Sequence, residues 1–229
     1  MAPLLGVLSD AHGHGPAFAA ALSALEREGA REFVFLGDAV GYIPSASVVR
    51  LIAGRDDITC VRGNHEAMVL GQATDAGADK VYQHDRTRAL LDAEDVAQLR
   101  GWPATYQQHC AAGLALFVHG SPIDPTCGYV YPDTDLSAQS GDADFVFMGH
   151  THRPFIRHHG RTCFVNVGSC GLPRDNGSQG AAAIFDTVTG DVRLLRFDIT
   201  AATHELLASA PPLHPSVLAL FARRDDDDQ

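Results

Sequence analysis

The sequence lacks paired cysteines. Its five cysteines are scattered along the chain and none falls in a CxxC spacing (Cys60, Cys110, Cys127, Cys163 and Cys170). An odd and scattered set favours free thiols in a reducing cytoplasm over a disulfide framework or a structural zinc site. We therefore expect a cytoplasmic protein with free thiols.

Long apolar runs and an excess of basic residues are also absent. No apolar stretch approaches the length of a transmembrane helix, and the first ten residues, MAPLLGVLSD, have no basic region of the signal-peptide type. The chain has 17 Lys and Arg against 28 Asp and Glu, a net charge of −11. This balance argues against a membrane or an extended nucleic-acid surface as partner. The sequence gives no indication of the oligomeric state.

No internal repeat and no linker divides the 229 residues, so we expect one main domain over residues 1–200. Residues 201–229 form a C-terminal segment of weak helical character. Its last residues include the acidic run 225–228, which we expect to be disordered.

Residues 67–102 differ in character from their surroundings. They read as helical and hold no recognisable set of ligands, so we interpret them as a helical cap or insertion. Tyr82, His84 and Trp102 either face a substrate or only pack within this cap, and packing is the simpler interpretation.

The sequence is organised around residues 33–42, FVFLGDAVGY. Four consecutive apolar residues predict a strand buried on both faces, and Asp38 follows at the carboxyl end of that strand. Open α/β sheets carry their chemistry at this edge. Alone, however, an acid at this position fits a turn or a helix N-cap equally well.

The same arrangement recurs after four other apolar runs. These runs supply Asp10 and His12, then Asn64 and His65, then His119, and finally His150 and His152. The order strand, helix, strand, helix, strand in the first part of the chain predicts a parallel sheet, whose strand ends share one edge. Carboxylate oxygens and imidazole nitrogens are good ligands for borderline divalent metals.

The ordered set resembles the motifs of the calcineurin-like metallophosphoesterase superfamily, which are DxH, GDxxG, GNH(D/E), a lone His after a strand, and GHxH. Here they read SDAHG, LGDAVGY, RGNHE, VHGSP and GHTHRP, and the resemblance covers residues 4–197. It implies an α/β fold in which two mixed β-sheets pack as a sandwich flanked by helices, in four layers α/β/β/α.

Within the superfamily the chain is most similar to the small single-domain bacterial and archaeal phosphodiesterase-type group. The stretches GDxVGYGPxP and NPGSxGxPRD of that group are matched at residues 37–44 and 166–175. This chain departs from the usual pattern at His14, Ile43, Glu66 and Val167. None of the departures removes a metal ligand, so they bear on substrate preference and not on the metal site.

By this resemblance two divalent ions bind at the strand ends, with Mn expected and Fe, Zn, Ni or Co as alternatives. The first ion would take Asp10, His12, Asp38 and His152, and the second would take Asp38, Asn64, His119 and His150. Two ions bring four positive charges and the two carboxylates remove two. The site would therefore stay net positive and attract a phosphate anion.

The implied reaction is the hydrolysis of a phosphoric ester by in-line attack of a metal-activated hydroxide. His65 is expected to act as general acid or as hydrogen-bond donor to the leaving oxygen. Glu66 either orients His65 or is a simple helix-start acid. Candidate substrate contacts are Tyr42, Asn64, Arg153 and Arg174, although Arg153 also fits a surface residue and Arg174 a partner of Asp175.

A phosphodiesterase acting on a small, possibly nucleotide-like ester is the first interpretation, because a cleft with few basic residues does not require a dianionic monoester. A phosphomonoesterase or protein phosphatase is the alternative among enzymes. A non-catalytic scaffold, like the retromer subunit that resembles this superfamily, is the alternative from another class. Such scaffolds typically lose ligands or the GNH histidine, and this chain keeps all of them. A metal-storage or regulatory module would bind metal without turnover.

Overall fold

The chain alternates strands and helices in its first part and then runs mainly through strands. The computed structural model describes residues 4–74, 77–139 and 141–224, and the acidic run expected to be disordered lies outside these ranges. No helix in the described part of the chain combines the length and the apolar character needed to cross a membrane.

The strands within these ranges are β1 (Leu4–Leu8), β2 (Glu32–Phe35), β3 (Ile58–Cys60), β4 (Thr105–Cys110), β5 (Gly113–Val118), β6 (Phe145–Met148), β7 (Phe155–His159), β8 (Thr162–Asn166), β9 (Gln179–Asp186) and β10 (Val192–Asp198). The helices are α1 (Gly15–Arg27), α2 (Ser47–Ala53), α3 (Asn64–Val69), α4 (Asp79–Tyr82), α5 (His84–Arg88), α6 (Ala93–Gly101), α7 (Thr200–Ser209) and α8 (Pro215–Ala222).

Two mixed sheets of five strands make up the centre of the molecule. The first has the order β10-β9-β1-β2-β3, in which β1, β2 and β3 are parallel and β9 and β10 are antiparallel. The second has the order β4-β5-β6-β8-β7, in which β5, β6 and β8 are parallel and the two edge strands antiparallel. The sequence predicted the parallel run of the first three strands correctly.

The two sheets pack face to face over a shared apolar core. Val7 and Val34 from the first sheet lie in one buried cluster with Phe117 and Phe147 from the second. The rings of Phe117 and Phe147 stack with centroids 5.0 Å apart. Alternate residues point to opposite faces of a strand, so Phe35, one residue after Val34, belongs to the cluster under the helices instead. Burial on both faces explains why these strands read as unbroken apolar runs.

Helix α1 covers the outer face of the first sheet. Phe18, Leu22 and Leu25 recur at helical spacing and are buried in the cluster under that face. The helix begins where the side chain of His14 accepts the main-chain N–H of Ala17 at 3.2 Å, with a proline in the first turn. Helix α1 is therefore amphipathic and turns its apolar side to the sheet.

The outer face of the second sheet has a thinner cover. Val130 and Leu136 pack there against Met148 and Phe164. They lie in an irregular segment whose one regular element among the described residues is a 3-10 turn at Ser137–Gln139. The fourth layer of the fold is thus mostly loop.

Along the chain, the segment that connects β3 of the first sheet to β4 of the second consists of helices α3 to α6. Of the three residues singled out there, Trp102 is buried in the core with its ring 6.0 Å from that of Phe35, measured between centroids. Tyr82 and His84 instead contact the ring of His65. The segment therefore contributes to the core at its end and to the strand-end site at its centre.

The last two helices pack beneath the loops that follow β2 and β8. Val217 and Phe221 of α8 share a buried cluster with Tyr42, Ile43 and Leu172. The sequence indicated only weak helical character here, since Ala- and Pro-rich segments carry little periodic signal. This segment thus supports loops that border the site.

We expect Phe221→Ala to lower the free energy of unfolding by about 3 kcal/mol, as is usual for loss of a packed ring. Phe221 is 9% exposed and its ring lies against that of His14, with centroids 5.7 Å apart. Leu218→Ala is the matched control, because Leu218 lies on the same helix but is 43% exposed. It should change stability by no more than about 0.5 kcal/mol. Urea denaturation measures both, and equal effects would show that α8 is not anchored through Phe221.

Candidate metal centre

The loops that follow β1, β2 and β6 have an unusual backbone. All five candidate ligands in these loops have left-handed φ angles, namely Asp10 (57°), His12 (49°), Asp38 (59°), His150 (65°) and His152 (60°). Asp and His tolerate this region better than most residues, but each instance still costs about 1–3 kcal/mol. Because residues 10 and 12 share this conformation, as do 150 and 152, both side chains of each pair can turn toward one point.

Asp10, His12 and His152 form a first group of ligands. The Nε2 atoms of the two histidines are 3.0 Å apart. The Oδ1 atom of Asp10 lies 3.3 Å from Nε2 of His152 and 3.6 Å from Nε2 of His12. All three side chains are buried. Their ligand atoms therefore converge on a space the size of one ion.

A second group surrounds Nε2 of His119. This nitrogen lies 3.0 Å from Oδ1 of Asn64, 3.1 Å from Nδ1 of His150 and 3.2 Å from Oδ2 of Asp38. When this nitrogen is protonated, its one proton can serve only one of the three acceptors, whereas a cation binds the deprotonated nitrogen together with all three.

The other ring nitrogens show which protons are in place. The Nδ1 atoms of His12, His119 and His152 donate to main-chain carbonyls, those of Val40, Leu36 and Leu172 respectively. A histidine that gives its Nδ1–H to a carbonyl presents Nε2 as a lone pair, the usual arrangement of metal-ligating histidine. The facing Nε2 atoms of His12 and His152 are then two acceptors without a proton between them.

These observations fit a metal centre. Besides the two facing lone pairs, Oδ1 of Asp10 is buried and has no hydrogen-bond partner in the described part of the chain. A buried acceptor without a donor is costly, and a divalent cation satisfies such atoms. The donor set of imidazole, carboxylate and amide oxygen suits borderline and hard divalent metals.

Asp38 joins the two groups. Its Oδ2 atom is 3.2 Å from Nε2 of His119 in the second group and 3.8 Å from Nε2 of His12 in the first. Its other oxygen accepts the main-chain N–H of His65 at 3.0 Å. A Cβ at Gly63 would lie 2.1 Å from this oxygen, so the glycine of the GNH motif allows the close approach.

The electrostatics favour ionised acids. Burial raises the pKa of Asp38, but His119 and His65 together bring it well below its usual range. Burial likewise raises the pKa of Asp10, and His152 and His119 lower it well below its usual value. Burial lowers the pKa of His119, while the two acids raise it to about 9. Two carboxylates thus carry negative charge inside the fold, where a cation balances it.

The comparisons with known proteins agree with this geometry. The sequence matches the model of the calcineurin-like phosphoesterase superfamily domain over residues 4–190. The chain belongs to this superfamily. An uncharacterized protein of Methanocaldococcus jannaschii is 27% identical over 91% of this chain and 94% of its own length.

Two solved structures are similar in fold. A metallophosphoesterase of Sphaerobacter thermophilus aligns with a TM-score of 0.80 and 24% identity, over 97% of this chain and 99% of that one. A hypothetical protein of Pyrococcus horikoshii aligns with a TM-score of 0.77 and 21% identity, over 95% and 97%. The family and the two-sheet fold implied by the motifs are thereby confirmed. The protein is a calcineurin-like hydrolase of phosphoric esters, from a metal-dependent family.

His65 lies beside the two ligand groups in this phosphoesterase. Its Nε2 atom is 4.0 Å from Oδ2 of Asp38 and so faces the centre of the site. Burial lowers the pKa of His65 well below its usual value, and the charge of Asp38 only partly opposes this. The rings of Tyr42 and Tyr82 lie against it, with centroids 5.0 and 4.8 Å away. The imidazole is therefore enclosed, neutral and aimed at the metal groups.

Two roles were expected for Glu66, and its contacts match one of them and not the other. Its carboxylate accepts main-chain N–H groups of Asp38, Ala39 and Gly63 at 2.7–2.8 Å. It thus closes the start of α3 and ties it to the loop after β2, as a helix-start acid does. The ring nitrogen of His65 that points away from the metal groups contacts His84 and not Glu66.

Two of the candidate substrate contacts meet at the rim. The hydroxyl of Tyr42 accepts a hydrogen bond from Nη2 of Arg174 at 2.9 Å. Asp175, the alternative partner of Arg174, forms its ion pair with Arg196 at 2.7 Å. Arg153 follows the last ligand and is half-buried, and its main-chain N–H donates to the hydroxyl of Thr151 at 3.3 Å.

Sequence reasoning missed Tyr129. Its ring lies against the ring of His150 with centroids only 4.0 Å apart, and the residue is 53% exposed. Tyr131, 40% exposed, lies parallel to it at 5.8 Å. Both belong to an irregular segment without periodicity, so no pattern could have placed them next to a ligand 21 positions away.

Proposed function

We propose that the protein is a phosphodiesterase that binds two divalent ions, with Mn as the expected metal. The observation that carries the proposal is the position of Asp38, whose carboxylate lies between the two ligand groups. Asp10, His12 and His152 would hold one ion with Asp38. Asn64, His119 and His150 would hold the other with the same carboxylate.

When bound, such a pair of ions lowers the pKa of water toward about 7 and neutralises charge on the phosphate oxygens. The chain supplies the remaining functions. Its buried carboxylates and carbonyl-bonded histidines fix the ligand atoms in advance, so little reorganisation is needed.

His65 is placed to assist the leaving group. In diester hydrolysis a water oxygen joins phosphorus, one ester P–O bond breaks, and the departing oxygen ends with a proton. The Nε2 atom of His65, facing Asp38, can donate a hydrogen bond or a proton to that oxygen. Tyr42 and Tyr82 enclose the ring and limit its movement.

The rim supports a diester substrate. Burial raises the pKa of Tyr42 and of Tyr129, which therefore stay neutral phenols. Arg174, bonded to Tyr42, supplies a cationic group there. Neutral donors beside a cationic group suit a monoanionic diester better than a surface made mainly of cations would. Arg153 and Asn64 remain proposed as further substrate contacts.

A nucleotide-like ester fits the aromatic pair at the site. The ring of Tyr129 lies against that of His150, and 53% of Tyr129 is exposed. A base attached to a phosphate held by the second ligand group could stack there, and such stacking contributes about 1–3 kcal/mol per base. The helices carrying Tyr82 and His84 would then form a cap beside His65.

The test is hydrolysis by metal-stripped protein reloaded with Mn, Ni, Zn or Fe. We expect no turnover without metal, and with metal faster turnover of bis-p-nitrophenyl phosphate than of p-nitrophenyl phosphate. A p-nitrophenyl ester of a nucleoside monophosphate should exceed both in kcat/KM because it adds a base.

The outcomes separate the alternatives. A preference for the monoester would assign the protein to the phosphomonoesterases or protein phosphatases. Two bound ions without turnover of any ester would indicate a scaffold or a metal-storage module. A nucleoside diester no better than the simple diester would remove the nucleotide-like part of the proposal.

A further inference from the structure

His65 has a second histidine as its partner. Its Nδ1 atom lies 2.8 Å from Nε2 of His84, a hydrogen-bond distance, and their ring centroids are 4.9 Å apart. His84 is 2% exposed. It belongs to none of the ligand groups around Asp10, Asp38 and His119. Metal binding therefore does not explain why a histidine is buried next to His65.

The backbone before His84 is held in place by contacts with the loop that follows β2. It is the first residue of α5, directly after Gln83, whose φ of 54° is left-handed. The side chain of Gln83 donates to the carbonyl of Tyr42 at 3.1 Å, and the N–H of Tyr42 donates to the carbonyl of Tyr82 at 2.7 Å. The turn before His84 is thus fixed to the loop that follows β2.

Gly41 makes room for the contact. A Cβ at Gly41 would lie 2.2 Å from Nδ1 of His65, and its φ of 90° is also left-handed. A side chain at this position would push His65 away from His84. The loop after β2 therefore carries the ligand Asp38 and, at Gly41, also leaves space for the ring of His65.

The contact determines which nitrogen of His65 carries the proton. A neutral imidazole has one N–H, and two neutral rings that meet through nitrogen must share one donor and one acceptor. Nε2 of His65 faces the carboxylate of Asp38 at 4.0 Å, so the negative charge favours the N–H on that side. Nδ1 of His65 then accepts, and Nε2 of His84 donates.

We propose that His84 is a positioning residue that holds His65 in the Nε2–H tautomer and fixes the plane of its ring. This inference rests on the proposed function of His65 as donor to the leaving oxygen. With His84 in place, the donor hydrogen points into the site before the ester arrives. Without it, the proton moves to either nitrogen and the ring turns, as occurs when a partner that orients a histidine is lost.

Three variants separate positioning from packing. His84→Ala removes ring and donor, His84→Phe keeps a ring of similar size without the N–H, and His84→Gln offers an amide N–H at a similar reach without the ring. Positioning predicts that only His84→Gln keeps a kcat near the wild-type value with diesters of alcohols that leave poorly. Packing alone predicts the opposite order for Phe and Gln. Metal content should match the wild type in all three.

Kinetics provide the first readout. With diesters of alcohols that leave poorly, His84→Ala and His84→Phe should lose about 10–100-fold in kcat, the usual effect of a lost supporting partner. KM should stay unchanged. With p-nitrophenyl diesters, whose leaving group needs little protonation, the loss should nearly vanish. An equal loss for every leaving group would overturn the proposal.

A second readout does not depend on turnover. The ¹⁵N shifts of the His65 imidazole, assigned with a His65→Ala sample, report the tautomer in metal-free protein. We expect Nε2–H in the wild type and a mixture in His84→Phe. An Nδ1–H tautomer in the wild type would overturn the inference even if hydrolysis is normal. If no ester is hydrolysed, the proposed function fails, and the shifts still decide the role of His84.

Discussion

Replacing Asp38 by Asn should reduce hydrolysis by about 10³-fold or more, because loss of metal-ion stabilisation removes several kcal/mol and each 1.4 kcal/mol is a factor of ten. The amide keeps the size of the side chain and can still accept the N–H of His65. It loses the charge that faces His12 and His119 on its two sides. Both ions should therefore bind more weakly.

The metal content of two variants distinguishes a carboxylate that both ions share from one that binds a single ion. Asp10→Asn is the matched control, because the ligand nitrogens that face the carboxylate of Asp10 are those of His12 and His152 in the first group. The contact of this carboxylate with the second group is to the main chain of His150. After dialysis against limiting Mn, elemental analysis should find about one ion in Asp10→Asn and less than one in Asp38→Asn. Circular dichroism checks that both fold. Two full ions in Asp38→Asn would contradict the bridging position of this carboxylate.

The second large effect is expected for His65→Ala. Turnover of a diester with a poor leaving group should fall by about 10²–10⁴-fold, the usual contribution of a general acid. Turnover of bis-p-nitrophenyl phosphate, whose leaving group needs little protonation, should fall much less. Metal content should stay at the wild-type level, although His65 lies near His12 and Asp38. The reason is that the two ligand groups are complete without it.

His204→Ala is the control for this variant, since His204 is exposed on α7. It should change neither turnover nor metal content. Loss of an ion from His65→Ala would reassign His65 as a ligand. Unchanged turnover of both esters would exclude it from the reaction.

The sequence was most informative where parallel strands end. Apolar runs predicted the strands, and the ends of parallel strands meet at one edge. The sequence therefore predicted that Asp10, Asp38 and His119 lie close together. The sequence did not show that they come from two different sheets. In the structure Nδ1 of His119 donates to the carbonyl of Leu36 and so joins the second sheet to the first.

The sequence could not predict side-chain contacts between residues of irregular segments. Tyr129 meets His150, and Arg174 meets Tyr42, across 21 and 132 positions. Neither pair lies on a regular face of a helix or strand, so hydrophobic spacing carries no information about it. The partner of His65 is a similar case, because Glu66 was the nearer acid in sequence while His84 is the nearer group in space.

The left-handed backbone at the metal ligands restricts how this site can evolve or be redesigned. Positions 12, 150 and 152 have φ angles between 49° and 65°, a region that β-branched and bulky side chains avoid. Of the residues that ligate metals, Asp and Asn share with His a tolerance for it. A change of metal preference is therefore accessible through His→Asp or His→Asn steps. Ligand sets that need a bulkier residue at these positions would first require the loops to be rebuilt.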